Sequence, residues 1–213
     1  ADRIYQINLA IAGIAIGTVA LPELSKKIKK GHVAGAMSMQ NKSLELCLLL
    51  SLPASLGLII ASQQIVNALF GYGSFNEENV ILTAQALKYF GFGVPAFALI
   101  KVLSNFLFAR DNTKVPFYIS AFIVSLNILI SILYFKEVGF IIIPIATSIS
   151  TWIGVLIYLA LLIRFKYLNI ELIFFVNLVK ILISSVIMTL ALYYSVNFFE
   201  DKLIYSNYYK SFY

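Results

Sequence analysis

Apolar positions along this chain gather in long unbroken runs, and the charges gather between them. Six stretches, approximately 4–22, 44–62, 80–108, 116–135, 138–163 and 174–199, are each apolar enough to lie in a bilayer. Crossing a hydrocarbon core of about 30 Å takes about 20 helical residues. Backbone amides have no water partners inside lipid, so a spanning segment must be a helix or a strand of a closed barrel. The runs do not alternate apolar with polar positions and are about twice as long as a barrel strand. The pattern therefore predicts an all-α integral membrane protein with about six transmembrane helices.

The polar connections set an expected orientation. If the connection after the first run is cytoplasmic, its side carries Lys26, Lys27, Lys29, Lys30, Lys42, Arg110, Lys114, Arg164 and Lys166. The other side carries only Lys136, Lys202 and Lys210. Basic residues close to a span resist translocation, so this asymmetry places the connections at about 23–43, 109–115 and 164–173 in the cytoplasm. Segment 23–43, "ELSKKIKKGHVAGAMSMQNKS", reads as the longest inner connection, with lysines that anchor topology or meet anionic headgroups. Segment 63–79, "QQIVNALFGYGSFNEEN", reads as an outer connection, amphipathic and then turn-rich. A transmembrane lobe over 1–199 is expected, followed by an extracytoplasmic tail, 200–213. The chain begins at Ala1 just before an apolar run and ends on an outward tail, so it is expected to be a piece of a longer protein whose next span is missing.

Composition agrees with the pattern. Hydrophobic residues make up 61% of the chain, charged residues 12%, and the mean hydropathy is +0.90. A soluble domain is about half apolar and about a quarter charged, so too little charge is available to cover a water-facing surface. The net charge of +6 then marks a membrane side, with nucleic acid not expected as a partner. Cys47, the single cysteine, lies in an apolar run and reads as a buried thiol, and His32 is the single histidine. No phosphate-cradling glycine loop, no nucleophile–base pair and no Cys/His cluster appears in the sequence. No enzymatic activity, metal or other cofactor is expected.

Candidate chemistry then rests on a few polar residues in or beside the runs. Arg3 either flanks its span and pairs with Asp2, or faces a cavity, where a guanidinium suits a phosphate. Lys88 and Lys101 lie inside the third run and Lys180 near the inner end of the last. Each can extend its stem to an interface, and Lys101 can equally face a cavity if the helix is broken. The stretch "GFGVP", 91–95, is the expected place for that break, since Pro95 removes a backbone donor. Gly13 and Gly17 form a GxxxG pattern suited to close helix approach. Pro53 and Pro144 are expected to kink their helices, and Asn105, Asn127 and Gln85 to satisfy neighbouring helices.

Three stretches together resemble the MurJ/MviN family, the lipid II flippases of bacterial cell-wall synthesis. They are "ADRIYQINLAIAGIAIGTVALPELSK" at 1–26, "ALFGYGSFNEENVILTAQALKYFGFGVPAFALIKVL" at 68–103, and "FLFARDNTKVPF" at 106–117, similar to the family's "FYAR-D-T-TP" inner loop. The resemblance covers the first 120 residues, with only hydropathy agreeing beyond. It implies a fourteen-helix transporter of the multidrug/oligosaccharidyl-lipid/polysaccharide exporter superfamily, in which two six-helix lobes enclose a cationic cavity. This chain would hold most of the second lobe, and its partners would be lipid II, the missing N-terminal lobe and the lipid bilayer of the bacterial inner membrane. The arginine of the family's A-D-R element maps onto Arg3, which the resemblance places in the cavity on the diphosphate, with Asp2 as its possible partner and Lys101 as a further cavity or structural cation. The chain departs from the family at Asn8 and Ala10, where Pro and then Gly are common, so a less sharply bent helix start is expected. Other readings compatible with the residues are a drug or polysaccharide-lipid exporter of the same superfamily, and an inactive remnant or scaffold.

Overall fold

The computed structural model of the chain describes residues 4, 6, 13, 16–71 and 77–210, with side chains through Phe198. Among the described residues every regular element is helical. The elements are α1 (Ile16–Lys29), α2 (Val33–Ile60), α3 (Ser62–Phe70), α4 (Glu77–Phe108), α5 (Lys114–Val138), a 3-10 turn (Gly139–Ile141), α6 (Ile142–Arg164) and α7 (Leu172–Lys210). Four helical segments are long and apolar enough to cross a membrane: Val33–Ile60, Glu77–Phe108, Lys114–Arg164 and Leu172–Phe198. The third, at 51 residues, contains both α5 and α6. These pack against each other, and Gly139 at φ 74° lies at the turn between them.

Helix extends further into the polar connections than the hydropathy runs predict. Segment 23–43 is largely helical, because α1 continues through Lys29 and α2 begins at Val33. The hydropathy pattern registers where lipid begins, whereas a helix stops only where its terminal carbonyls find other donors. Three chain reversals use the same device. At the end of α1, the amide of His32 donates to Lys27 O at 3.0 Å and that of Gly31 to Ile28 O at 3.0 Å. After α4, Asn112 donates to Leu107 O and Asp111 to Phe108 O; after α6, Tyr167 donates to Leu162 O and Lys166 to Ile163 O. Each is a Schellman closure, which needs one residue in the left-handed region. Those residues are Gly31 (φ 73°), Asp111 (φ 57°) and Lys166 (φ 55°).

Helix α4 is the centre of the bundle, with α2 on one flank and α6 on the other; α1 packs on α2 and α4, α5 on α6, and α7 on α2. The most apolar stretch of α4 is 61% buried, against 17% for that of α7, so α4 is an interior helix and α7 a peripheral one. The main core gathers Leu24, Cys47, Leu103, Phe106, Tyr158 and Leu162. Cys47 is wholly buried there, as its apolar surroundings predict.

The expected break at 91–95 is absent: α4 runs unbroken through Pro95. Proline takes the amide that would have served the carbonyl four residues earlier, here Gly91. Ser55 on α2 replaces that donor, its hydroxyl lying 2.7 Å from Gly91 O. From α6, Ser148 donates to Tyr89 O at 2.8 Å and Trp152 Nε1 to Phe92 O at 3.0 Å. With neighbouring helices supplying donors, the proline is accommodated inside the helix. Pro53 is interior to α2, whereas Pro144 is the third residue of α6, in a first turn where its missing amide leaves no intrahelical bond unmade. Asn127 meets its expectation by donating to Thr147 Oγ1 across α5 and α6 at 2.8 Å.

Candidate functional site

Lys101 sits in the C-terminal third of α4. It is exposed, and beside it a cleft of about 470 Å3 opens between α1, α4, α5 and α6. Polar groups come from three of these helices: Thr18 on α1, Ser104 and Asn105 on α4, Ser120 on α5. Tyr158 of α6 lies at the base, and its hydroxyl is paired with Ser120. Thr113, just before α5, also lines it, and the rest of the wall is apolar, including Leu21, Ile100 and Phe117. Among the described residues, no ion pair or hydrogen bond engages the Lys101 ammonium. Ser104 turns back to its own helix, donating to Lys101 O at 2.9 Å.

Close helix approach shapes the cleft. A methyl group on Gly17 would collide with the Asn105 side-chain amide, so the absence of one lets α1 lie against α4. Gly13 of the same pattern is buried and lines the cleft. Chemically, the cleft offers, among the described residues, one exposed cation, hydroxyls and an amide on a largely apolar wall. That inventory can hold an anionic or hydroxyl-bearing group by charge and hydrogen bonding.

Of the residues singled out in the sequence, the structure therefore places Lys101 in a cleft. Asp2 and Arg3 lie outside the described residues. Lys88 is exposed in a smaller cleft near the other end of α4, with Gln63, Gln64 and Gln85. Ser104 and Asn105 were legible as neighbours of Lys101, being three and four residues on along one helix. Ser120 and Tyr158 carry no such signal, because they come from other helices.

Arg110 has a role that its position between two runs did not disclose. Its guanidinium donates to Phe106 O at 2.7 Å and to Tyr167 O at 3.0 Å, and stacks 4.4 Å from the centre of the Tyr167 ring. Fully buried Gln40 completes the group, its amide oriented to donate to Tyr167 O (2.9 Å) and accept from Arg110 (3.1 Å). Beside it, Asn41 donates to Asn169 O at 2.8 Å. Burial pulls the Arg110 guanidinium below its ordinary pKa, opposed by the Tyr167 side chain. This knot ties the C-terminal end of α4, the N-terminal part of α2 and the link before α7 into one end of the bundle.

Comparison with known proteins extends the agreement over the whole chain. The family described as lipid II flippase MurJ matches residues 1–213. A probable lipid II flippase MurJ of Rhizobium tropici is 41% identical over 154 residues, which is 72% of this chain and 29% of that protein. Its counterpart in Rhizobium meliloti (strain 1021) is 34% identical over 197 residues, 92% of this chain and 37% of that protein. The chain thus spans about a third of the length of these curated relatives. Among solved structures, a lipid II flippase MurJ in an inward closed conformation shares the fold, with a TM-score of 0.74 and 24% identity over 95% of this chain and 46% of that one. A family match from the first residue to the last, joined to this common helical fold, establishes that the chain belongs to the MurJ family of lipid II flippases.

Proposed function

We propose that this chain is part of a lipid II flippase, which moves the undecaprenyl-diphosphate-linked peptidoglycan precursor across the bacterial inner membrane by alternating access. The observation that carries this reading is the family match over residues 1–213. In it, the chain forms six spans of the second lobe: one ending in α1, then α2, α4, α5, α6 and α7. An N-terminal lobe supplies the other wall of the cavity, and α7 crosses the bilayer only as far as about residue 199, with residues 200–213 beyond it on the extracytoplasmic side.

Orientation follows the basic residues, with the end that carries Lys26–Lys30, Arg110 and Arg164 in the cytoplasm. Arg3, with Asp2 as its partner, holds the diphosphate, because a guanidinium in a low-dielectric cavity gives phosphate oxygens charge-assisted and often bidentate hydrogen bonds. Lys101 is the second cation. Its free ammonium and the cleft beside it support that role. Rocking of one lobe against the other then exposes the bound head group to each side in turn.

The test is growth rescue in bacteria depleted of their own lipid II flippase. Expressed with a matching first lobe the chain is expected to restore growth, and expressed alone it is not. Arg3→Ala in the paired form should abolish rescue while the protein stays in the membrane. Failure of both forms with protein present in the membrane would overturn the reading, and full activity of Arg3→Ala would remove that residue's role.

A further inference from the structure

A second basic cleft lies on the opposite flank of the bundle. It has a volume of about 380 Å3 and opens between α2 and the peripheral helix α7. Its rim is charged and polar: Lys42 and Glu45 from α2, Asn177 and Lys180 from α7. Each pair is three residues apart, so each helix presents its two groups on one face. Both lysines are exposed, and among the described residues neither ammonium has an ion-pair or hydrogen-bond partner.

The setting identifies what could fill it. Asn41, next to Lys42, is bonded to Asn169 just before α7, so the cleft lies toward the end of the bundle that holds the Arg110 knot. Below the rim the surface is apolar, with Leu46 51% and Leu49 45% exposed. In a chain this apolar, a sideways-facing leucine surface beneath a polar rim is where acyl chains lie. A phospholipid is amphiphilic in the same order. The rim carries one net positive charge, which complements a monoanionic headgroup. Its phosphate suits the two lysines, and the Glu45 carboxylate and Asn177 amide suit hydroxyls.

We infer that the cleft between α2 and α7 holds the headgroup of an anionic phospholipid of the phosphatidylglycerol type. Lys42 and Lys180 straddle the phosphate, Glu45 and Asn177 meet the glycerol hydroxyls, and Leu46, Leu49 and Ile181 carry the start of the acyl chains. The inference requires only that the chain spans a membrane. It stands apart from the transport reading and from the cleft beside Lys101.

Native mass spectrometry tests it on the purified 213-residue chain in a neutral detergent, with phosphatidylglycerol and phosphatidylcholine supplied in equal amounts. Preferential retention of phosphatidylglycerol is expected. Lys42→Gln or Lys180→Gln should weaken retention about fivefold and the double variant about 30-fold, since one lysine near an anionic lipid surface contributes about 1 kcal/mol. Lys42→Arg with Lys180→Arg should preserve retention, and the control Lys29→Gln with Lys30→Gln should leave it unchanged. If the double glutamine variant fails to fold, the single variants carry the comparison. Equal retention of the two lipids, or an equal loss in the control, would overturn the assignment. So would displacement of the lipid by soluble glycerol phosphate, which would make the cleft a free-phosphate site.

Discussion

The hydroxyl of Ser55 on α2 lies 2.7 Å from the carbonyl oxygen of Gly91 on α4, the carbonyl that Pro95 leaves without an amide donor. One hydrogen bond thus completes the central helix and fastens it to its neighbour. Ser55→Ala should destabilise the protein by about 1 kcal/mol, in the range measured for hydrogen bonds between membrane helices. In a Pro95→Ala background the amide at position 95 can serve Gly91 again, so the same serine change should cost clearly less. Unfolding in a denaturing detergent across the four-protein cycle measures the difference. Equal costs in both backgrounds would show that serine and proline are not coupled.

Gly154 governs the contact of α6 with α5 and α4. A methyl group there would run into the Ile123 side chain and come within 3.2 Å of Ile100 Cδ1. Gly154→Leu should therefore cost about 1–3 kcal/mol, the usual penalty for overfilling a packed interface. Ile123→Ala made alongside it should recover part of the loss, read as a melting temperature in detergent.

The left-handed residues in the three Schellman closures predict changes of opposite sign. A non-glycine residue held there costs about 1–2 kcal/mol. Lys166→Gly and Asp111→Gly should each raise stability by about 1 kcal/mol, less what glycine adds to the freedom of the unfolded chain. Gly31→Ala should lower it by a similar amount. Parallel melting curves of the three variants settle the sign.

Arg110 ties two carbonyls and one aromatic ring together, so its replacement tests geometry as much as charge. Arg110→Ala removes charge-assisted bonds to Phe106 O and Tyr167 O. The expected loss is about 2–3 kcal/mol. Arg110→Lys should rescue little, because an ammonium can neither fork to two carbonyls in the same way nor stack flat on Tyr167. Hydrogen exchange over 165–171 should rise in both variants, since Tyr167 and Asn169 hold that link to the bundle.

Lys101 predicts a separation of function from stability. Its ammonium has no partner among the described residues, so Lys101→Met should leave the melting temperature within about 0.5 kcal/mol equivalent of the parent. Growth rescue by the paired form should nevertheless fall sharply. An unchanged rescue would remove Lys101 from the transport reading and leave the cleft as a packing feature.

Much of the fold and little of the cleft could be read along the chain. All-helical architecture and a membrane setting were legible because both rest on local requirements: backbone groups in lipid must be satisfied within a segment, and apolar side chains must outnumber charges across it. The GxxxG pattern and the position of Lys101 on a long apolar helix were local too. The continuity of α4 was not, because its extra donors, Ser55, Ser148 and Trp152, stand 36, 59 and 60 residues from the carbonyls they serve. Read alone, "GFGVP" signals a break; surrounded by α2 and α6 it is a satisfied helix. Along the chain Arg110 reads only as a marker of membrane side; its bonds with Gln40 and Tyr167 appear only in the fold. The surroundings of Lys101 likewise depend on Ser120 and Tyr158 from other helices. The sequence by itself determined what each segment must become in lipid, through transfer energies and backbone hydrogen bonding along the segment. Only the tertiary structure decided which helix supplies the donor or the wall that a neighbour lacks, because that depends on packing between residues far apart in the chain.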